Sequence, residues 1–222
     1  MIHTLPRWVW PGAGLLAFLA GMINVTGVLG FTHEAVTHLT GVTTSLGAAL
    51  AGGHFSAGLH LAGMLAAFVA GAALCGWVLG DSSLRHHPRY GAVLLLEAAL
   101  LTTAVPLLEH RLAAGVFLTC AATGLQNALV SAFSGSLIRS THLSGLFTDL
   151  GILTGQALRG LPTEPLRWKL CLWVITGFLA GAVTGAACFP VSSYRTLLIP
   201  ALVTAGLGAA GLISKKFPRS NP

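Results

Sequence analysis

Charge is what this sequence has least of. Only 12 of its 222 residues are Lys or Arg and 6 are Asp or Glu, where a soluble domain carries roughly a quarter charged residues. A water-soluble protein of this composition would have to bury almost its whole surface, so that class is excluded. Cysteine is scarce as well. Cys75, Cys120, Cys171 and Cys188 all lie in apolar stretches with no Cys-x-x-Cys spacing, which excludes a disulfide framework and a metal knot and leaves small buried hydrophobes. No nucleophile–base pair, metal-ligand cluster or phosphate loop is present, so neither an enzyme nor a bound cofactor or metal is expected. Nucleic-acid binding would need an exposed basic domain, and no stretch is long enough to form one.

Apolar sequence fills the space. Hydrophobic residues make up 54% of the chain, and mean hydropathy is +0.79. Runs of roughly 20 apolar residues, the length that crosses about 30 Å of hydrocarbon, recur from end to end. The expected fold is an all-α integral membrane protein with spans at 11–32, 57–80, 90–108, 112–134, 168–189 and 194–214. The first run lacks a small-residue cleavage site and reads as a span, not a signal peptide. Two shorter segments, 38–53 and 142–158, are marginal for a full crossing.

Charge placement bears on what those short segments do. If both are re-entrant there are six transmembrane helices, and Arg7, Arg85, Arg89, Arg139, Arg159, Arg167, Lys169, Lys215, Lys216 and Arg219 share one face, leaving Arg111 and Arg195 on the other. If both cross, there are eight spans and the partition weakens to eight against four. The positive-inside rule favours six spans with both termini cytoplasmic, and it makes anionic lipid at the basic face a sufficient partner for the net charge of +6. Trp8, Trp10, Trp168 and Trp173 fall near span ends, as an aromatic belt requires.

The chain also repeats itself. "THLTGVTTSLG" at 37–47 and "THLSGLFTDLG" at 141–151 agree at seven of eleven positions, 104 residues apart. Upstream, "GMIN" with Asn24 faces "GLQN" with Asn127, and downstream "FVAGA" at Phe68 matches "FLAGA" at Phe178. A duplicated unit is implied, with halves of about 11–109 and 112–214 inside one membrane domain. Three spans per half would set the second copy upside down as an inverted repeat, whereas eight crossings would give parallel repeats.

These same residues resemble the YoaK family of bacterial membrane proteins. The motifs that carry the resemblance are "GMINVTG" before "THLTG" and "GLQNAL" before "RSTHLSGLFTDLG". The likeness covers nearly the whole chain and is most specific over Gly124–Asn127 and Arg139–Gly151. It implies a polytopic fold in a bacterial cytoplasmic (inner) membrane and small-molecule transport with no established substrate. The first half departs from the family pattern, with Asn24 where relatives have Asp and Val42 where they have Asn.

Physical chemistry suggests what the motif is for. Thr37 and Thr141 suit helix N-caps, and helix N-termini inside a membrane protein can receive an anion or carboxylate. A central solute site is therefore expected from Asn24, His38, Thr40, Gly41, Gln126, Asn127, His142, Ser144, Gly145 and Asp149. The opposing reading has the hydroxyls, Thr43, Thr44 and Thr148 among them, bonding back to their own helices while the glycines permit packing. His38 with His33 and Glu34 is not read as a metal site, because those ligands do not recur in the second copy. Asp149 either serves a relay or pairs with Arg139 or Arg159. Glu97, in "LLLEAALL", is a proton or ion relay candidate, since a carboxylate in hydrocarbon costs about 2.5 kcal/mol or more and needs a partner or a proton. The stripes Gly177–Gly181–Gly185 and Gly63–Ala67–Gly71 are expected to pack helices within the chain or across a homodimer. Two functions remain open: a transporter or channel for a small anionic or polar solute, and a non-transporting scaffold whose repeated motif is helix glue.

Overall fold

Helix dominates because almost every residue from the first span to the last is apolar or small, and a backbone in hydrocarbon must satisfy its own hydrogen bonds. The computed structural model describes residues 9–80, 88–134 and 141–213, all helix, turn or short link with no strand among them. In chain order the helices are α1 (Val9–Leu29), α2 (Leu39–Ala51), α3 (Phe55–Leu79), α4 (Pro88–Glu109), α5 (Ala113–Ser134), α6 (Leu143–Leu158), α7 (Pro165–Ser192) and α8 (Leu198–Ile213). A 3-10 turn, Ser193–Leu197, joins the last two. Five apolar segments are long enough to cross a membrane, and the fifth, Pro165–Ile213, contains both α7 and α8. These are the features of a multi-pass membrane protein. Arg7, Trp8, Arg85, Arg139, Lys215, Lys216 and Arg219 lie outside the described residues.

The pairing of helices exchanges the two halves. α1 packs along α7 and α3 along α5, so the first helix of each half lies against the third of the other. Glycine makes each approach close enough. A Cβ on Gly181 would stand 1.8 Å from the Phe18 carbonyl oxygen, and one on Gly21 would stand 2.1 Å from that of Phe178. At the equivalent positions, a Cβ on Gly71 would stand 1.9 Å from the Ala121 oxygen and one on Gly124 2.1 Å from that of Phe68. The duplication visible in sequence is thus a duplication of backbone contacts. Bulk is traded between the copies at one level: Gly14 receives Trp173 in the first crossing, while Gly63 receives Phe117, the counterpart of Gly14, in the second. Both glycine stripes named in the sequence are therefore filled by the chain's own helices.

Contacts along each pair give the directions of the helices. Gly177, Gly181 and Gly185 meet Gly14, Phe18 and Met22 in that order, so α1 and α7 run parallel. α4 and α8 run antiparallel: Gly91 meets Gly208 and Leu212 near one end, while Arg195, just before α8, bonds Glu109 at the other at 3.0 Å. α4 and α5 form an antiparallel hairpin in which Gly115 abuts Leu108.

Two apolar clusters stack along the bundle. One holds Leu16, Leu19, Cys75, Val93, Leu129, Leu146 and Val174. The other holds Ile23, Val42, Met64, Leu101, Leu108, Val116, Tyr194 and Leu197. Leu146 belongs to α6 and Val42 to α2, so the two short helices sit at opposite ends. We predict that Gly181→Ala and Gly71→Ala each destabilise the folded protein by about 1–3 kcal/mol, read as a lowered melting temperature in detergent. Gly76→Ala and Gly206→Ala, where a Cβ meets nothing within 4 Å, should leave it unchanged or raise it slightly. Equal melting of all four variants would contradict the close-approach role.

Candidate functional site

Each copy of the motif is tied to the first helix of its own half. Asn24 Oδ1 on α1 accepts hydrogen bonds from the Thr37 backbone N–H at 3.1 Å and from the Thr37 hydroxyl at 2.8 Å. In the second copy the Asn127 amide nitrogen on α5 donates to the Thr141 hydroxyl oxygen. Sequence spacing alone suggested N-caps. The N-cap positions are instead His38 and His142, neither making a side-chain cap bond. Each threonine stands one residue before its N-cap, tied there by its asparagine.

Histidine and glycine form a second conserved pairing between the copies. The His38 ring lies where a Cβ on Gly41 would go, 2.4 Å from its Cδ2, and the His142 ring lies 2.6 Å from the corresponding point on Gly145. The motif glycine is needed locally, to seat the imidazole on the first turn of its helix. Both histidines are otherwise exposed, as are Thr40 and Ser144. Thr43, Thr44 and Thr148 donate to the carbonyls of Leu39, Thr40 and Ser144, each four residues back, as the packing alternative expects.

The two motifs are not brought together. α2 packs on α3 and α6 on α7, with no contact between α2 and α6. Asn24 does not reach the second motif, nor Asn127 the first: each bonds within its own half. Asp149 is held at the α6 end of the bundle by Arg167 of α7 at 3.1 Å, so its partner among the described residues is not Arg159; Arg139 lies outside them. That pair is more than a third exposed on both sides and contributes little stability.

Gln126 and Glu97 are a different case. Both are fully buried, and neither oxygen of Glu97 nor either amide atom of Gln126 has a hydrogen-bond partner. The buried threonines are satisfied by contrast: Thr26, Thr119 and Thr204 each donate to the carbonyl four residues back, and Thr123 to that of Cys120.

With this geometry in view, similarity to known sequences can be placed. The family described as "Protein of unknown function (DUF1275)" matches residues 12–210. The chain belongs to the DUF1275 family. No curated protein and no solved structure matches it. The matched region takes in both Asn–Thr ties, Glu97, Gln126 and the contact of Gly91 with Gly208.

Sequence reading passed over Tyr194 of this DUF1275 chain. Its hydroxyl oxygen accepts the Phe31 N–H at 2.6 Å, and its ring meets Phe31 and Phe189 edge-on. With Leu108 and Val116 it closes the end of the bundle that holds α2. A tyrosine just after a span has no local signal for this role, since its partner lies 163 residues away.

The Asn ties differ in which atom they use, and this generates a prediction. Asn24 employs only its oxygen toward Thr37, so Asn24→Asp should retain both bonds and fold stably. Asn24→Ala should cost about 1–3 kcal/mol by leaving buried donors unpaired. A double-mutant cycle of Asn24→Ala with Thr37→Val, followed by thermal unfolding, should give a coupling of about 1 kcal/mol or more. Zero coupling would mean that the tie does not hold the motif.

Proposed function

We propose that this chain is a transporter or channel for a small anionic or polar solute, built as two inverted halves with six crossings in a bacterial cytoplasmic membrane and both termini cytoplasmic. The antiparallel contact of α4 with α8 carries the reading. Eight crossings would make these equivalent helices point the same way. Six crossings, with α2 and α6 each returning to the side they entered from, make them antiparallel while keeping α1 parallel to α7. The basic residues then gather on the face of α6, in keeping with the positive-inside rule.

In this arrangement the motifs serve opposite faces of the membrane. Asn24, His38, Thr40 and Gly41 line one mouth, and Asn127, His142, Ser144, Gly145 and Asp149 the other, with Gln126 and Glu97 between. Inverted halves of this kind alternate access around a midplane site in many transporters, which fits the transport expectation attached to the YoaK resemblance. Anionic lipid would meet Arg159, Arg167 and Lys169. A homodimer would use the outer faces of α2 and α6, where Gly47, Gly151 and Gly155 have open space around them.

One observation favours the scaffold reading: the motif hydroxyls bond back to their own helices, which is what packing alone would need. Flux separates the two. In a solute screen with proteoliposomes, uptake of at least one small polar solute is expected. Asn127→Ala and Ser144→Ala should each reduce it by roughly 1–3 kcal/mol, about five- to a hundredfold, at equal folded protein. Uptake unchanged in both variants would give the motif to packing.

A further inference from the structure

Among the described residues Glu97 and Gln126 are fully buried with no hydrogen bond at any polar side-chain atom, and they stand at one level of the bundle; the half-buried His60 has only its Nε2 buried and unbonded. Glu97 lies eleven residues before Leu108 on α4, and Gln126 lies eleven residues after Gly115 on α5. Leu108 and Gly115 are in contact across the hairpin. Equal numbers of residues at about 1.5 Å rise each bring Glu97 and Gln126 to the same depth. Both sit at the seam between the two apolar clusters. On α4, Val93 belongs to one cluster and Leu101 to the other. On α5, Leu125 belongs to the first and Ala122 to the second.

Among the described residues, nothing in the surroundings supplies the positive charge that a buried carboxylate requires. α3, α5 and α8, which all pack against α4, contain no Lys or Arg. Their titratable side chains are His60, Cys75 and Cys120, none of them bonded to Glu97. On α4 itself, Arg89 is two turns away and donates to the Leu79 carbonyl. Arg195, on the 3-10 turn, pairs with Glu109 at the end of the helix. A bare carboxylate in hydrocarbon is costly, and an unbonded buried amide adds to the cost. A chain that buries both at one level has a use for them.

We infer that Glu97 and Gln126 form a site for one monovalent positive charge, a proton or an alkali-metal cation, at the centre of the bundle. The carboxylate neutralises the charge, and the amide oxygen of Gln126 accepts from the acid proton or ligates the cation. Neither residue recurs as an equivalent pair in the other half, so there is one such site per chain. The inference deepens the transport reading and rests on it only for the role of the ion in coupling.

Infrared difference spectra of the protein in lipid nanodiscs test the site without any solute. One exchange, in choline buffer, moves from acid to alkaline pH. The other replaces choline with Na+ or K+ at fixed pH. We expect a carboxyl–carboxylate band pair in at least one exchange, lost in Glu97→Gln, shifted in Gln126→Leu and retained in Asp149→Asn. Response to the first exchange alone identifies the proton, and response to the second the alkali ion. Gln126→Leu keeps the carboxyl, so it reads the site even where Glu97→Gln fails to fold. A Glu97→Gln spectrum that keeps every wild-type carboxyl band, or bands all unmoved by Gln126→Leu, would overturn the assignment. A Glu97 band without flux of any solute would sink transport and leave the site. Flux without that band would do the reverse.

Discussion

Contact between glycine and a backbone carbonyl across two helix pairs is the constraint on which the rest of the structure depends. Lipid offers helices no hydrophobic reason to associate, so they hold together by van der Waals contact at close range, which small residues allow. Gly181 against Phe18 and Gly71 against Ala121 set that range twice with the same geometry. Because each crossing joins one half to the other, neither half has its full set of neighbours alone. The exchange then places α4 and α8 between the crossed pairs, where they meet antiparallel through Gly91 and Gly208. The short helices α2 and α6 are left on the outside, at opposite ends.

Polar groups are handled by two rules. Hydroxyls donate to carbonyls one turn back and cost the bundle little, as Thr26, Thr119 and Thr204 do. Side chains with more to satisfy are paired across helices or links, as Asn24 is with Thr37 and Tyr194 with Phe31. Glu97 and Gln126 follow neither rule. They are also where the two halves cease to match, for the duplicated contacts are structural and this pair belongs to the last helix of the first half and the first helix of the second. A symmetric frame carrying an asymmetric polar centre is what a coupled transporter needs, since the frame can be inverted while the charge site remains single.

Much of this was legible in the sequence. The apolar runs gave the helices to within a few residues, and the repeated motif marked where the same local contacts recur, such as the imidazole seated on Gly41 or Gly145. The glycine stripes announced close packing. They could not say against which helix, because a stripe is complementary to any smooth partner and the choice is made by the whole bundle. The same limit explains the misread threonines. A hydroxyl before a helix is a cap by its spacing, yet an Asn thirteen residues upstream in the sequence and adjacent in space holds Thr37 one residue short of the cap position, which falls to His38. Asp149 found Arg167 and not Arg159 because α7 turns back along α6, and nothing local to residue 149 encodes that turn. Charge counting favoured six crossings over eight; the direction of α4 against α8, on which the proposed topology rests, could not be read from composition.

The placement of the two motifs on opposite sides of the membrane is the central claim, and side-specific labelling tests it most directly. In a variant lacking the four native cysteines, single cysteines at positions 37 and 141 would be treated in intact cells with a membrane-impermeant maleimide, with and without permeabilisation. Inverted halves with six crossings require that position 37 label from outside and position 141 only after permeabilisation. Labelling of both positions from the same side is the outcome of eight crossings and parallel repeats, and it would contradict the architecture proposed for this protein.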